Sequence, residues 1–98
     1  MAWSSQQATS FIGQTAGDVI AEAEGGSIAV FDARSALGFD SAGAIDQSDA
    51  SIIAACWDKH NKDQLDVAVL PSQIATADVM EKAEEGYYGS LLVNCESG

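Results

Sequence analysis

A single histidine, His60, and two cysteines, Cys56 and Cys95, are the residues of this 98-residue chain most suited to nucleophilic or metal chemistry. A histidine-based triad would need His60 beside a Ser or Cys nucleophile. It sits instead among Asp58, Lys59, Asn61 and Lys62, a solvated neighbourhood, and reads as an exposed histidine at a helix end. One His and two distant Cys do not make a zinc site. Asp40, Asp46 and Asp49 lack the one-three-five spacing and the bidentate Glu of a calcium loop. N-capping accounts for Asp46 and Asp49 more simply. Gly25-Gly26 precedes a strand rather than opening a helix, so it is no phosphate loop. Glu81, Glu84 and Glu85 could serve as general acids on paper, but such a cluster is the usual make-up of a solvated acidic turn. No catalytic constellation emerges, and the expectation is a non-enzyme with no cofactor and no metal.

Composition narrows the partners. Fifteen Asp plus Glu against four Lys plus Arg leave a formal net charge of −11. Nucleic acid is excluded as a partner, because phosphate binding runs on Lys and Arg clusters. An anionic lipid surface is excluded on the same ground. The hydrophobic fraction of 47% is too high for a disordered acidic tail. The length fits one domain over residues 1–98, with roughly 64% of the unfolded surface buried on folding. Cys56 and Cys95 lie in the apolar runs AACW and LVNC, which reads as buried free thiols and a reducing, cytosolic compartment. The N-terminus has neither the basic nor the apolar region of a signal peptide, and no apolar run reaches membrane-spanning length. Direct membrane insertion is therefore not expected.

The elements that would position these residues follow from apolar spacing. Ala8, Phe11, Ile12, Ala16, Val19, Ile20 and Ala23 recur at three- and four-residue intervals, predicting a helix over 4–23 capped by Ser4 or Ser5. Gly13 and Gly17 weaken it by about 1 kcal/mol each relative to Ala. Residues 27–32 (SIAVFD) form a strand, and 36–41 resume the alternation as the second arm of a hairpin. Ala50, Ile53, Ala54 and Trp57 make one apolar stripe and Ile52, Ala55 and Cys56 widen it, predicting a second helix over about 49–60. Residues 65–70 (LDVAVL) form a strand closed by Pro71. Residues 74–82 carry helix formers with Thr76 as a cap, and propensity favours helix there, although an alternation also suits a strand. Gly86 ends that element, and 87–95 form a last strand. The fold class is α+β: helix, two strands, helix, then two or three strands, with one antiparallel sheet of about five strands.

The frame Ser27-Ile28-Ala29-Val30-Phe31-Asp32, then Leu37, Gly43, and a helix carrying Ala50 and Ile53 on to Lys59 resembles the Roadblock, or dynein-light-chain-type, domain family. It is closest to the small Ragulator-type scaffold subunits. The order helix, hairpin, helix, three-stranded meander is similar, and the resemblance places 74–82 in a strand. The family's usual Gly in the first turn is replaced here by Ala33-Arg34-Ser35-Ala36. The resemblance implies a non-enzymatic subunit that pairs with a second Roadblock-type domain, as a homo- or heterodimer. Such pairs dock or regulate small GTPases in nutrient signalling at the lysosomal or vacuolar membrane, or link cargo to dynein. It further implies a pairing surface near Leu37, Phe39, Ile52, Ile53 and Trp57, and a cytoplasmic protein held peripherally at a membrane through its partner.

Two other readings stand beside this one. Met1-Ala2-Trp3 resembles the opening of profilin, an actin- and poly-proline-binding protein, although this chain lacks the further C-terminal helix that profilin uses. Excess carboxylate also suits an acidic structural subunit of a virus or a halophile. Partner binding is common to all three, because a small sheet leaves exposed edges, which are natural pairing sites.

Overall fold

The computed structural model describes residues 7–23, 27–40, 43, 46–61, 64–93 and 95. Three strands form one mixed sheet: β1 (Ser27–Asp32), β2 (Ala50–Trp57) and β3 (Gln64–Pro71). Their order is β1-β3-β2, with β1 parallel and β2 antiparallel to β3. Two helices, α1 (Ala16–Ala23) and α2 (Ala77–Glu84), complete an α+β fold.

The central strand explains the layering. β3 is apolar along almost its whole length, as a strand covered on both faces must be. Leu65, Val67 and Val69 point to one face, where Phe11, Ala16, Val19 and Ile52 pack on them. Ala68 and Leu70 point to the other, against Ile53, Ala54, Ala83 and Tyr88. Each large side chain so buried contributes about 1.5–3 kcal/mol. α1 and a 3-10 turn at Ala8–Phe11 cover the first face, while α2 and the chain after it cover the second.

The predicted second helix is a strand. Ala50, Ile53, Ala54 and Trp57 mimic helical spacing because β2 is covered on both faces and carries a bulge. The register shifts between Ile52 and Ala54, so Ile53 and Ala54 together oppose Ala68 on one face. A strand without alternation and with one inserted residue cannot be told from a helix by period alone.

The hairpin predicted over 27–41 does not form. After β1 the chain enters a 3-10 turn at Ser35–Leu37 ended by Gly38, whose φ of 85° only a glycine adopts readily. Residues 87–95 are likewise no strand: a 3-10 turn at Gly89–Leu91 lies there. At 74–82 the helix former propensity holds and the strand implied by the Roadblock resemblance does not. Thr76 caps α2, accepting a hydrogen bond from the Val79 N–H. Three strands are present among the described residues, not five, and the sheet is mixed rather than antiparallel.

The first helix is shorter than predicted. Its Ser4 and Ser5 caps lie outside the described residues, and the helical spacing is interrupted at Gly13, with φ 95°. α1 begins after Thr15, whose Oγ1 accepts from the Asp18 N–H. The break frees backbone for a different use: Gly13 N–H donates to Ile52 O, and Ile52 N–H donates to Gln14 O. That segment lies along the outer edge of β2.

Cys56 and Cys95 are not free thiols. They form a disulfide with Cα atoms 5.5 Å apart across 39 residues of sequence. The reducing compartment inferred from free thiols loses its premise. No helix among the described residues is long and apolar enough to cross a membrane.

Candidate surface at the first strand and its groove

Among the described residues β1 is the open edge. Its other neighbours among the described residues leave one side of the strand unpaired. The Ala33 N–H donates to Val69 O at 3.0 Å, so backbone alternation turns the groups of Ala29 and Phe31 toward β3. Those of Ile28, Val30 and Asp32 therefore face outward. Val30 is 37% exposed and Phe31 41% exposed, on opposite faces of the strand. An unpaired row of N–H and C=O groups flanked by exposed apolar side chains is a template for another strand.

A groove of about 360 Å³ runs beside this edge on the second face. Ala29 and Phe31 form one wall and Leu91, Leu92 and Val93 the other, while Gln64 and Asp66 close its inner end. Val93 is 79% exposed, the most solvent-facing large apolar residue of the described chain. The disulfide anchors that second wall, because Cys56 is the register partner of Asp66 and Cys95 ends the segment.

Gln64 and Asp66 form the polar end of the groove, and Gln64 links Asp66 to Asp58 behind it. Gln64 Nε2 donates to Asp66 Oδ1 at 2.8 Å and to Asp58 Oδ2 at 3.3 Å. Asp58 Oδ1 accepts from the His60 and Asn61 N–H groups, which holds its carboxyl below the ordinary range. Asp66, only 6% exposed, is pushed the other way: burial raises it, and the hydrogen bond and charge of Asp58 add to the rise. Of the two, Asp66 is the more readily protonated. At the far end of β1, Asp32 and Arg34 make an ion pair at 2.8 Å, and Arg34 Nη2 also donates to Gly43 O. The Arg34 hydrogen bond lowers Asp32.

The five residues expected at a pairing surface are dispersed. Ile52 and Ile53 are fully buried, on opposite faces of the sheet. Trp57 is half-buried against the first face, edge-on to Phe11 with ring centroids 6.4 Å apart. Leu37 packs half-buried against the second face, and Phe39 is exposed. His60 is exposed beside its turn, and no cluster of three potential metal ligands occurs among the described residues. Trp3 lies outside the described residues.

Sequence reasoning missed the groove and the carboxyl pair. One signal was present: Asp66 interrupts the apolar run LDVAVL, and Gln64 shares its face by strand parity. A charge inside a strand otherwise buried on both faces marks a polar site. Comparison of the chain with family models, curated proteins and solved structures finds no match.

Proposed function

We propose that this chain is a non-enzymatic interaction module that receives a partner strand along the outer edge of β1. The observation that carries the reading is the combination at 27–32 of outward-facing backbone groups with the exposed side chains of Val30 and Phe31. Main-chain hydrogen bonds would supply affinity, and the adjoining groove would select side chains.

The Roadblock-type scaffold is the narrower form of this proposal. In it the partner is a second such subunit, and the pair docks small GTPases or links cargo to dynein, at a lysosomal or vacuolar membrane reached through the partner. That form joins sheets edge to edge and packs a helix over 49–60 against its counterpart, near Leu37, Phe39, Ile52, Ile53 and Trp57, and strand β2 takes up 50–57 of that helix. The reading advanced here keeps partner binding and moves its surface to β1.

The test is capture from the native source by the immobilised chain, wild type against Val30→Pro. The outward N–H of Val30 is lost in the variant while the β1–β3 ladder is untouched. A partner retained by wild type and lost by Val30→Pro supports the reading. Equal retention by both sinks it.

A further inference from the structure

The charge and shape of the groove identify the chemistry of its occupant. Ala29 is the register partner of Asp66, so the wall of the groove is lowest directly in front of the buried carboxyl. A residue on a strand added outside β1 at that level would face Asp66 over a single methyl group. It would stand two strand spacings from β3, about 9.6 Å, a gap that the long stems of Lys and Arg are suited to cross. Those stems can lie along Leu91 and Leu92 while the charged head reaches Gln64 and Asp66. No lysine or arginine lines the groove among the described residues.

A second copy of the chain is a poor occupant, since each carries a formal charge of −11. A basic segment is attracted by the same field. Resting on the edge reading above, we propose that the partner strand is an extended basic–apolar segment, with an apolar residue beside Phe31 and a Lys or Arg opposite Ala29 that pairs with Asp66.

The test uses capped hexapeptides of alternating Lys–Val, Thr–Val and Glu–Val, with the oxidised full-length chain. Amide hydrogen exchange reports the place of binding, and titration calorimetry the affinity. The expected result is that Lys–Val protects the Ile28, Val30 and Asp32 amides and binds at least about tenfold more tightly than Thr–Val, with Glu–Val weaker still. Asp66→Asn, which keeps the shape of the side chain, should erase most of the Lys–Val advantage. Ala29→Leu should do the same from the exposed edge, where a folding defect is not expected. Equal binding of Lys–Val and Thr–Val at 28–32 would overturn the basic partner and leave the edge reading intact. A homodimer that buries those amides has the same consequence. If none of the peptides protects them and the chain stays monomeric, both readings fall.

Discussion

The two outer edges of the sheet are finished in opposite ways. Along β2 the chain returns twice: residues 13–15 hydrogen-bond to Ile52 at one end, and Cys95 bridges to Asp58 at the other, fastened by the disulfide to Cys56. Ile12 packs against both core clusters around that same edge. Along the outer edge of β1 no described segment pairs, and its side chains alternate between the two faces. A free edge invites aggregation unless it is covered or reserved for a partner. The contrast teaches that coverage of β2 uses a left-handed glycine and a covalent bond, while the β1 edge lies beside a groove with a selective polar end.

The largest test of the contrast is removal of the covalent fastening. A cross-link closing 39 residues should stabilise by about 4 kcal/mol in the chain-entropy treatment. Cys56→Ser with Cys95→Ser, or full reduction, should therefore lower the thermal midpoint by about 20 °C. The same change frees the wall formed by Leu91, Leu92 and Val93, so a groove probe should lose affinity under reducing conditions. A midpoint unchanged on reduction would mean that noncovalent contacts alone close the β2 edge.

Proline along β1 tests which backbone groups face outward. Phe31→Pro deletes an N–H that pairs with β3 and should cost about 2 kcal/mol in chemical unfolding, before counting lost side-chain contacts. Val30→Pro deletes an outward N–H and should cost under about 1 kcal/mol, since Ala29 before it is already extended. Equal losses would show that the outer edge is paired after all.

Gly13→Ala probes the other edge. The glycine sits at φ 95° and a methyl group there would meet nothing within 4 Å, so the cost is one of backbone conformation alone. About 1–2 kcal/mol is expected, with faster hydrogen exchange at the Ile52 amide beyond the global change. A silent substitution would detach that backbone geometry from the closure of β2.

The smallest effect is on pH dependence. The folded pKa of Asp66 lies above the ordinary carboxyl value of 3.8, so between the two the native chain binds more protons than the unfolded one. Its contribution to stability therefore rises as pH falls from neutral through the folded pKa, and levels off below 3.8. Asp32 and Asp58 are lowered and act oppositely: their stabilisation is complete above the unfolded value and is lost as pH falls through the folded one. Asp66→Asn should accordingly be more stable than wild type at neutral pH, with the difference shrinking toward pH 4. Parallel melting curves from pH 4 to 8 check this; a constant offset would show that folding leaves the titration of Asp66 unshifted.

Some of this was legible in the residues. The strands at 27–32 and 65–70, the Thr76 cap and the glycine stop at 86 follow from propensity and spacing, which are local properties. Local helix signals at 74–82 were sound, and they were displaced only by a family resemblance whose further strands are not among the described elements. β2 was not legible, because coverage on both faces removes the alternation by which a strand is known, and a bulge then imposes a helix-like interval. The candidate surface had one residue of warning, Asp66.

The sequence by itself determined the −11 charge and the apolar run that became the central strand. The first underlies the proposed basic partner, and the second sets the middle of the sheet. Tertiary structure decided the rest: the placing of β2 beside β3, the union of Cys56 with Cys95, and the choice of β1 as the open edge. Each depends on segments distant in sequence meeting in space, where the closure entropy is offset only by contacts that no local pattern records.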